Sequence, residues 1–76
     1  MLLEKYGHRH VSVGMVLRFF EYEHLPEYLQ PISKACCEVA MDMVDRLPDD
    51  PELTVGLRKL LEAKDAFVRA MVASRD

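Results

Sequence analysis

The fold of this chain is decided by one stretch, Asp50-Pro51-Glu52-Leu53-Thr54-Val55-Gly56-Leu57-Arg58-Lys59-Leu60-Leu61-Glu62-Ala63-Lys64-Asp65-Ala66-Phe67-Val68-Arg69. Its first residues predict a helix start, because Asp50 can cap a helix, Pro51 fits the first turn and Glu52 suits the positive end of the helix dipole. Apolar residues then recur at spacings of three, four and seven, which is typical of a helix that packs along one seam. The seam consists of Leu53, Leu57, Leu60, Phe67 and Met71.

Two positions in this helix need a separate explanation. Lys64 lies in the seam between Leu60 and Phe67, where an apolar residue is expected. A cation there either fixes the register of a helix pair or faces a ligand. Glycine costs a helix interior about 1 kcal/mol relative to alanine, so we expect Gly56 at a close helix crossing that only glycine permits.

A second helix with the same period is predicted upstream, from Ile32 to Leu47. Pro48 ends it, and the short connection to Asp50-Pro51 makes the two helices antiparallel neighbours in a helical hairpin. Asp42 and Arg46 are expected to form an ion pair on its solvated side. The seam that should face the partner helix consists of Leu29, Ile32, Cys36, Val39, Met43 and Leu47.

The segment 1–19 precedes this hairpin domain, which we assign to residues 20–76. Residues 1–10 lack a clean period, so we expect a mobile or partly ordered leader. His8 and His10 are two residues apart and have no third ligand nearby in sequence, so we expect solvated histidines and no metal site.

The run from Val11 to Tyr22 is apolar and predicts a short helix or an extended arm that packs on the hairpin. Ser12 could cap a helix that starts at Val13. Arg18 breaks the run, which is too short to span a bilayer, and charged residues near the N-terminus argue against a secretory signal.

Composition favours an assembly. The chain has 76 residues, which is one domain at most, and half of them are hydrophobic. A chain this short hides a small fraction of its surface, so we expect self-association.

The net charge of −3 argues against binding to long nucleic acid, which needs a basic stripe. Cys36 and Cys37 are adjacent on a helix, where they point apart, so we expect reduced thiols in a cytosolic protein.

No phosphate loop, metal-binding motif or nucleophile elbow occurs in the sequence, so we expect neither an enzyme nor a cofactor. Tyr22 offers a flat ring for stacking on a base, or it is a core or interface tyrosine. His24 is either a loop residue that forms hydrogen bonds or a phosphate contact. Ser33 and Lys34 start the first long helix, where a helix N-terminus, a hydroxyl and an ammonium form an anion site. The alternative is a local cap and a solvated lysine.

Cations continue along the second helix. Arg58 and Glu62 are spaced for an ion pair, as are Asp65 and Arg69, so both arginines can be salt-bridged surface. Lys64 is harder to explain in this way because of its position in the seam.

Several short pieces follow one another in order between residues 20 and 69: Phe20-Glu21-Tyr22-Glu23-His24-Leu25-Pro26, Leu29-Gln30, Ser33-Lys34, Leu47-Pro48, Pro51-Glu52 and Leu57-Arg58-Lys59-Leu60-Leu61-Glu62-Ala63-Lys64-Asp65. Together they resemble the helical hairpin domain shared by phage signal sponges. These are the anti-CBASS and anti-Thoeris proteins that sequester cyclic-nucleotide alarm signals.

The resemblance implies a homo-oligomer, commonly a hexamer arranged as a trimer of dimers, in the cytoplasm of the infected bacterium. It implies capture of cyclic di- or trinucleotides without catalysis. Tyr22 matches the family's base-stacking aromatic, and Ser33 and Lys34 match its phosphate contacts. Arg69 matches an arginine that serves a separate trinucleotide site, with Arg75 as a rival. The alternative function is a structural or protein-interaction hairpin with no small ligand.

Overall fold

The computed structural model describes residues 2–75 and builds them from helices and turns, with no β-strand in that range. The predicted all-α fold is therefore confirmed. A 3-10 turn at Arg18–Phe20 follows the second helix directly. The α-helices are α1 (Leu2–Lys5), α2 (Val11–Leu17), α3 (Gln30–Arg46) and α4 (Pro51–Ser74).

Helices α3 and α4 form the predicted antiparallel hairpin. The start of α4 lies beside the end of α3, and a shared groove there is lined by residues such as Met43 and Leu53. The end of α4 lies beside the start of α3, where Ile32 and Met71 line another groove. We call the first end, at the turn 47–50, the closed end and the other the open end.

The start of α4 is built as its sequence predicts. The Oδ1 atom of Asp50 accepts a hydrogen bond of 2.9 Å from the backbone N–H of Glu52, and Pro51 occupies the first helical position. On α3, the guanidinium of Arg46 pairs with the carboxylate of Asp42 at 2.8 Å, also as predicted.

The predicted seams are only partly correct. On α4, Leu53 and Leu57 are buried, but Phe67 is 57% exposed. Val39 on α3 and the C-cap residue Leu47 line a groove beside α4, as the seam predicts, but they are 48% and 46% exposed and are therefore not buried against it. The physical reason is that α3 packs against α4 and against the 3-10 turn at once, which rotates its buried face. That face consists of Ser33, Cys36, Cys37, Ala40 and Val44.

Residues 2–20, called the N-terminal segment from here on, supply the other half of the core. Helix α2 packs on α4 and the 3-10 turn packs on α3, so the segment lies across both hairpin helices. Of the two alternatives for the leader, mobile or partly ordered, the structure favours order, because α1 forms and both Leu2 and Tyr6 are buried in the same core. Each fully buried large side chain contributes about 1.5–3 kcal/mol. The segment's buried side chains from α2 onward are Val13, Val16, Leu17 and Phe20.

Arg9 ties this segment to the closed end of the hairpin. Its guanidinium donates to the carbonyl oxygens of Val44 and Leu47, which are left free where α3 ends, and to Asp49 at 2.9 Å. The backbone N–H of His10 donates to the same carboxylate at 3.1 Å. Desolvation raises the pKa of Asp49, but these two hydrogen bonds lower it more, so the pKa lies below its usual value.

Helix α2 starts two residues before its predicted start. His10 occupies the N-cap, and its Nδ1 accepts a hydrogen bond of 3.1 Å from the backbone N–H of Ser12. The assignment of Ser12 as the cap is therefore wrong. The Ser12 hydroxyl instead lies 2.9 Å from that of Thr54 on α4.

Gly56 does not mark a close helix crossing, since a Cβ added there meets nothing within 4 Å. We expect Gly56→Ala to raise the free energy of unfolding by about 1 kcal/mol, because alanine has the higher helix propensity. Urea unfolding measures this, with Ala66→Gly as the matched variant that should lose a similar amount. A destabilised Gly56→Ala would contradict the open surroundings of this position.

Tyr6 gives a test of the N-terminal contacts at alkaline pH. Its hydroxyl donates to Asp45 at 2.9 Å, and burial followed by this hydrogen bond raises its pKa to about 12. The protonated phenol therefore stabilises the fold fully below about pH 10, the ordinary value for tyrosine, and this contribution is lost as the pH rises towards 12. We expect Tyr6→Phe to be less stable than the wild type by about 1 kcal/mol at neutral pH.

The free energy of unfolding, measured by urea titration across this alkaline range, checks the expectation. The difference in the free energy of unfolding between the wild type and Tyr6→Phe should become smaller as Tyr6 ionises. A gap that stays constant would show that the phenol proton does not stabilise the fold.

Candidate functional site

The open end of the hairpin is the best candidate for a ligand site. Helix α3 begins there without a side-chain cap, because its N-cap residue is Leu29, which has no polar side chain. Helix N-termini carry a partial positive charge and attract anions. Lys34 is exposed in the second turn of α3, so its ammonium adds a full charge close to this end.

A stacked pair adds a second cation. The guanidinium carbon of Arg75 lies 3.8 Å from the centre of the Tyr28 ring, and Tyr28 belongs to the turn just before α3. The stack therefore holds the last residues of α4 beside the first residues of α3. Sequence reasoning named Arg75 as a rival of Arg69 but missed Tyr28, because no pattern in the sequence links the two.

Ser33 is placed differently from the expectation. Its side chain is fully buried, and its hydroxyl has no hydrogen-bond partner in the described part of the chain. In a single chain this hydroxyl does not face the surface that carries Lys34. A phosphate could reach it only if the packing around the first turn of α3 opened.

Tyr22 does not lie at the start of α3, because the hollow that it lines is bounded by Cys37 and Met41 farther along that helix. Tyr22 is half-buried and lines a hollow of about 260 Å³ together with Cys37, which follows Lys34 by three residues on α3. Residues three apart on a helix are neighbours, so the hollow and Lys34 share one side of α3. The hollow also includes Lys5 and two acidic residues. His24 is exposed in the loop after Tyr22.

Lys64 faces the interior of the helix pair. Its side chain is 13% exposed, and its ammonium pairs with Asp65 at 2.9 Å. Burial raises the pKa of the Cys36 thiol on α3, and the nearby charge of Lys64 partly offsets that rise. The ion partner of Lys64 lies on the same helix, so this pair does not by itself link α4 to α3.

Arg69 is exposed on α4. Among the described residues Asp65 pairs with Lys64, and the expected ion pairs from Asp65 to Arg69 and from Arg58 to Glu62 are not formed. Both arginines therefore present free guanidinium groups to solvent. The structure does not bring Arg69 together with Tyr22.

An apolar groove of about 570 Å³ adjoins the uncapped start of α3. Phe67 forms one rim and the small residues Ala35 and Ala70 line the rest, together with Pro31, Ile32, Cys36, Met71 and Ser74. Other large apolar side chains are also exposed, including Val11, Met15, Phe19 and Val72.

Among residues 2–75, no helix is both long and apolar enough to cross a membrane, and no three metal-binding side chains come together. No protein-family model, curated protein or solved structure matched the chain.

Proposed function

We propose that several copies of this chain assemble and sequester a cyclic di- or trinucleotide second messenger without changing it chemically. In this proposal the protein antagonises the host's anti-phage signalling by lowering the concentration of free messenger. The observation that carries the proposal is the start of α3, which has no side-chain cap, with Lys34 exposed in its second turn and Arg75 stacked on Tyr28 in the turn before it. The resemblance to phage signal sponges supplies the ligand class.

The electrostatics of the open end suit a small anion. The whole chain carries a net charge of −3, so a phosphate cannot be held by the overall field. It needs local donors, but Pro31 has no N–H and the Gln30 N–H already donates to the carbonyl oxygen of Glu27. The proposal therefore relies on the ammonium of Lys34 near the start of α3, with the helix dipole adding to its attraction. The free guanidinium of Arg69 offers a further contact for a second site.

Assembly completes such a pocket because symmetry repeats each residue. A cyclic dinucleotide has two phosphates, so a two-fold axis presents one Lys34 to each of them, and a three-fold axis does the same for a cyclic trinucleotide. Tyr22 and His24 of each copy then face the bases and phosphates of the bound ring. A hexamer built as a trimer of dimers contains both kinds of axis. Useful sequestration needs a dissociation constant between about nanomolar and micromolar.

The alternative is a structural or protein-interaction hairpin with no small ligand. The observation that favours it is the composition of the hollow beside Tyr22, where Glu21 and Glu23 contribute negative charge. Two carboxylates beside a base-stacking ring oppose a phosphate on the same side. Ligand binding must therefore be tested directly.

Calorimetry with a panel of cyclic di- and trinucleotides tests the proposal. We expect Lys34→Ala to weaken binding by about 1.5–3 kcal/mol, because a charge-assisted hydrogen bond to phosphate is lost. Lys59→Ala removes the same charge from an exposed position on α4 and should change the affinity little. Chromatography of the released ligand should recover it intact.

Two outcomes would count against this proposal. If the assembled protein binds no nucleotide of the panel, the alternative hairpin function is favoured. If Lys34→Ala and Lys59→Ala weaken binding equally, the effect is general electrostatic attraction, and Lys34 does not contact the ligand.

Light scattering tests the assembly itself. We expect the wild type to have a mass that is a multiple of 8.8 kDa. Phe67→Ser should weaken the association, because the 57% exposed ring gains most by being covered. Val55→Ser, at a residue that is 41% exposed near the start of α4, is the matched control. A folded single chain in dilute buffer would refute the assembly.

A further inference from the structure

We propose that a second copy of this chain covers the side of the hairpin that the N-terminal segment leaves open, so that two hairpins form a four-helix bundle. Two apolar grooves lie between α3 and α4 on this side. One adjoins the open end of the hairpin and has a volume of about 570 Å³. The other adjoins the closed end and has a volume of about 260 Å³. We call the surface that carries both grooves the grooved face.

Helical spacing places the two grooves on one side of the hairpin. On α3, Ile32 lines the groove at the open end, and Val39 and Met43 line the groove at the closed end. These residues are seven and four positions apart, which keeps them on one side of a helix. On α4, Leu60 in one groove and Phe67 in the other are also seven apart. The grooves therefore follow one another along the hairpin.

The N-terminal segment covers a different side of the hairpin. Its buried residues share a core with Cys37, Ala40 and Val44 of α3. At 3.6 residues per turn, Val44 lies about 140° around α3 from Val39. Val44 is fully buried, whereas Val39 is half exposed. The hairpin is therefore covered on one side and open on the grooved face.

The grooved face carries almost no charge. Among the described residues that line the two grooves, Glu52 at the closed end alone has a charged side chain. Nucleic acid or an anionic membrane surface would need cations on this face. A two-fold axis brings a face against an identical one, so a charged face repels its own copy and an uncharged face does not. The lack of charge thus favours a second copy of this chain.

The size of the grooved face suits a stable dimer. Helix α3 has 17 residues, which gives a length of about 26 Å at 1.5 Å per residue. Two helices of about 10 Å diameter side by side give a width of about 20 Å. Protruding side chains such as Phe67 raise the accessible area above this flat footprint of about 500 Å², towards the roughly 800 Å² that each partner buries in a standard interface. A second hairpin has the same length and width, so it covers the face from end to end.

The bundle also accounts for the half-exposed residues of the predicted seams. Val39, Leu47 and Phe67 follow the spacing of three, four and seven that is typical of packed helices, yet all three are exposed in a single chain. When two hairpins pack face to face, such residues lie between four helices and not two. Their spacing and their exposure in one chain are then both explained.

This inference rests on the proposed function only for the statement that copies assemble, and it adds the face through which two copies meet. Nucleotide binding plays no part in it. The dimer can therefore be tested on the protein alone.

Charge introduced on the grooved face tests the dimer. We expect Val39→Lys to raise the dissociation constant of the dimer about 100-fold or more, because the two-fold axis buries two added ammonium groups in an apolar interface. Sedimentation equilibrium measures this. Met15→Lys adds the same charge to α2 at a residue that is 53% exposed, so it should keep a mass of at least two chains. Circular dichroism should show wild-type helix content in both variants.

Photo-cross-linking tests the same contact in a chain whose grooved face stays apolar. Benzoylphenylalanine introduced at position 67 should give a product of about twice 8.8 kDa, in which the cross-linked peptide of the second copy comes from α3 or α4. Introduced at position 19 in the 3-10 turn, the same group should not react with residues of the grooved face, because that position lies on the N-terminal segment.

Four results would separate the possibilities. A folded wild-type chain that stays single would overturn the dimer, as would assembly that Met15→Lys abolishes and Val39→Lys leaves intact. Single wild-type chains that sediment with phosphatidylcholine vesicles, when Val39→Lys does not, would assign the face to lipid and overturn the second copy. A dimer that Val39→Lys dissociates but that binds no cyclic nucleotide would support this inference and contradict the proposed function.

Discussion

The structure depends on the N-terminal segment lying across both helices of the hairpin. Two antiparallel helices can bury one face against each other, but a chain of this length needs more apolar surface hidden to be stable. Leu17, the last residue of α2, and Phe20 in the 3-10 turn supply this apolar surface, since both are fully buried where the segment packs on the hairpin. The same segment brings Arg9 to the free carbonyls at the end of α3. Packing and helix capping are thus provided by one stretch of the chain.

The hairpin was predictable because its signals are local. Asp50, Pro51 and the apolar spacing that follows act within a few residues, and the structure forms the helix where they indicate. The buried face of α3 was not predictable with the same certainty. Apolar residues surround this helix on more than half of its circumference, and the choice between Val39 and Ala40 depends on the distant 3-10 turn. Periodicity alone cannot report a partner that is remote in sequence.

The candidate site shows the same division. The helix was predicted from Ile32, but α3 begins two residues earlier at Gln30, so the exposed Lys34 lies in its second turn and not at its start. The burial of Ser33 and the stacking of Arg75 on Tyr28 come from tertiary packing, which no short motif encodes. Lys64 was recognised as unusual because it interrupts a pattern, but its 13% exposure and its pairing with Asp65 could not be read from that pattern. The sequence thus identifies a residue that interrupts a local pattern, but it does not identify the side chains that surround that residue in the fold.

The position of Arg9 has a consequence for how the chain is made. Its carboxylate partner follows it by 40 residues. At a translation rate of about 5–20 residues per second, the apolar N-terminal segment is therefore synthesised roughly 2 to 8 seconds before the acceptor that secures it. Contacts that are so distant in sequence close late in folding. The apolar side chains of this segment therefore lack their final partners until the hairpin that they pack against has been synthesised.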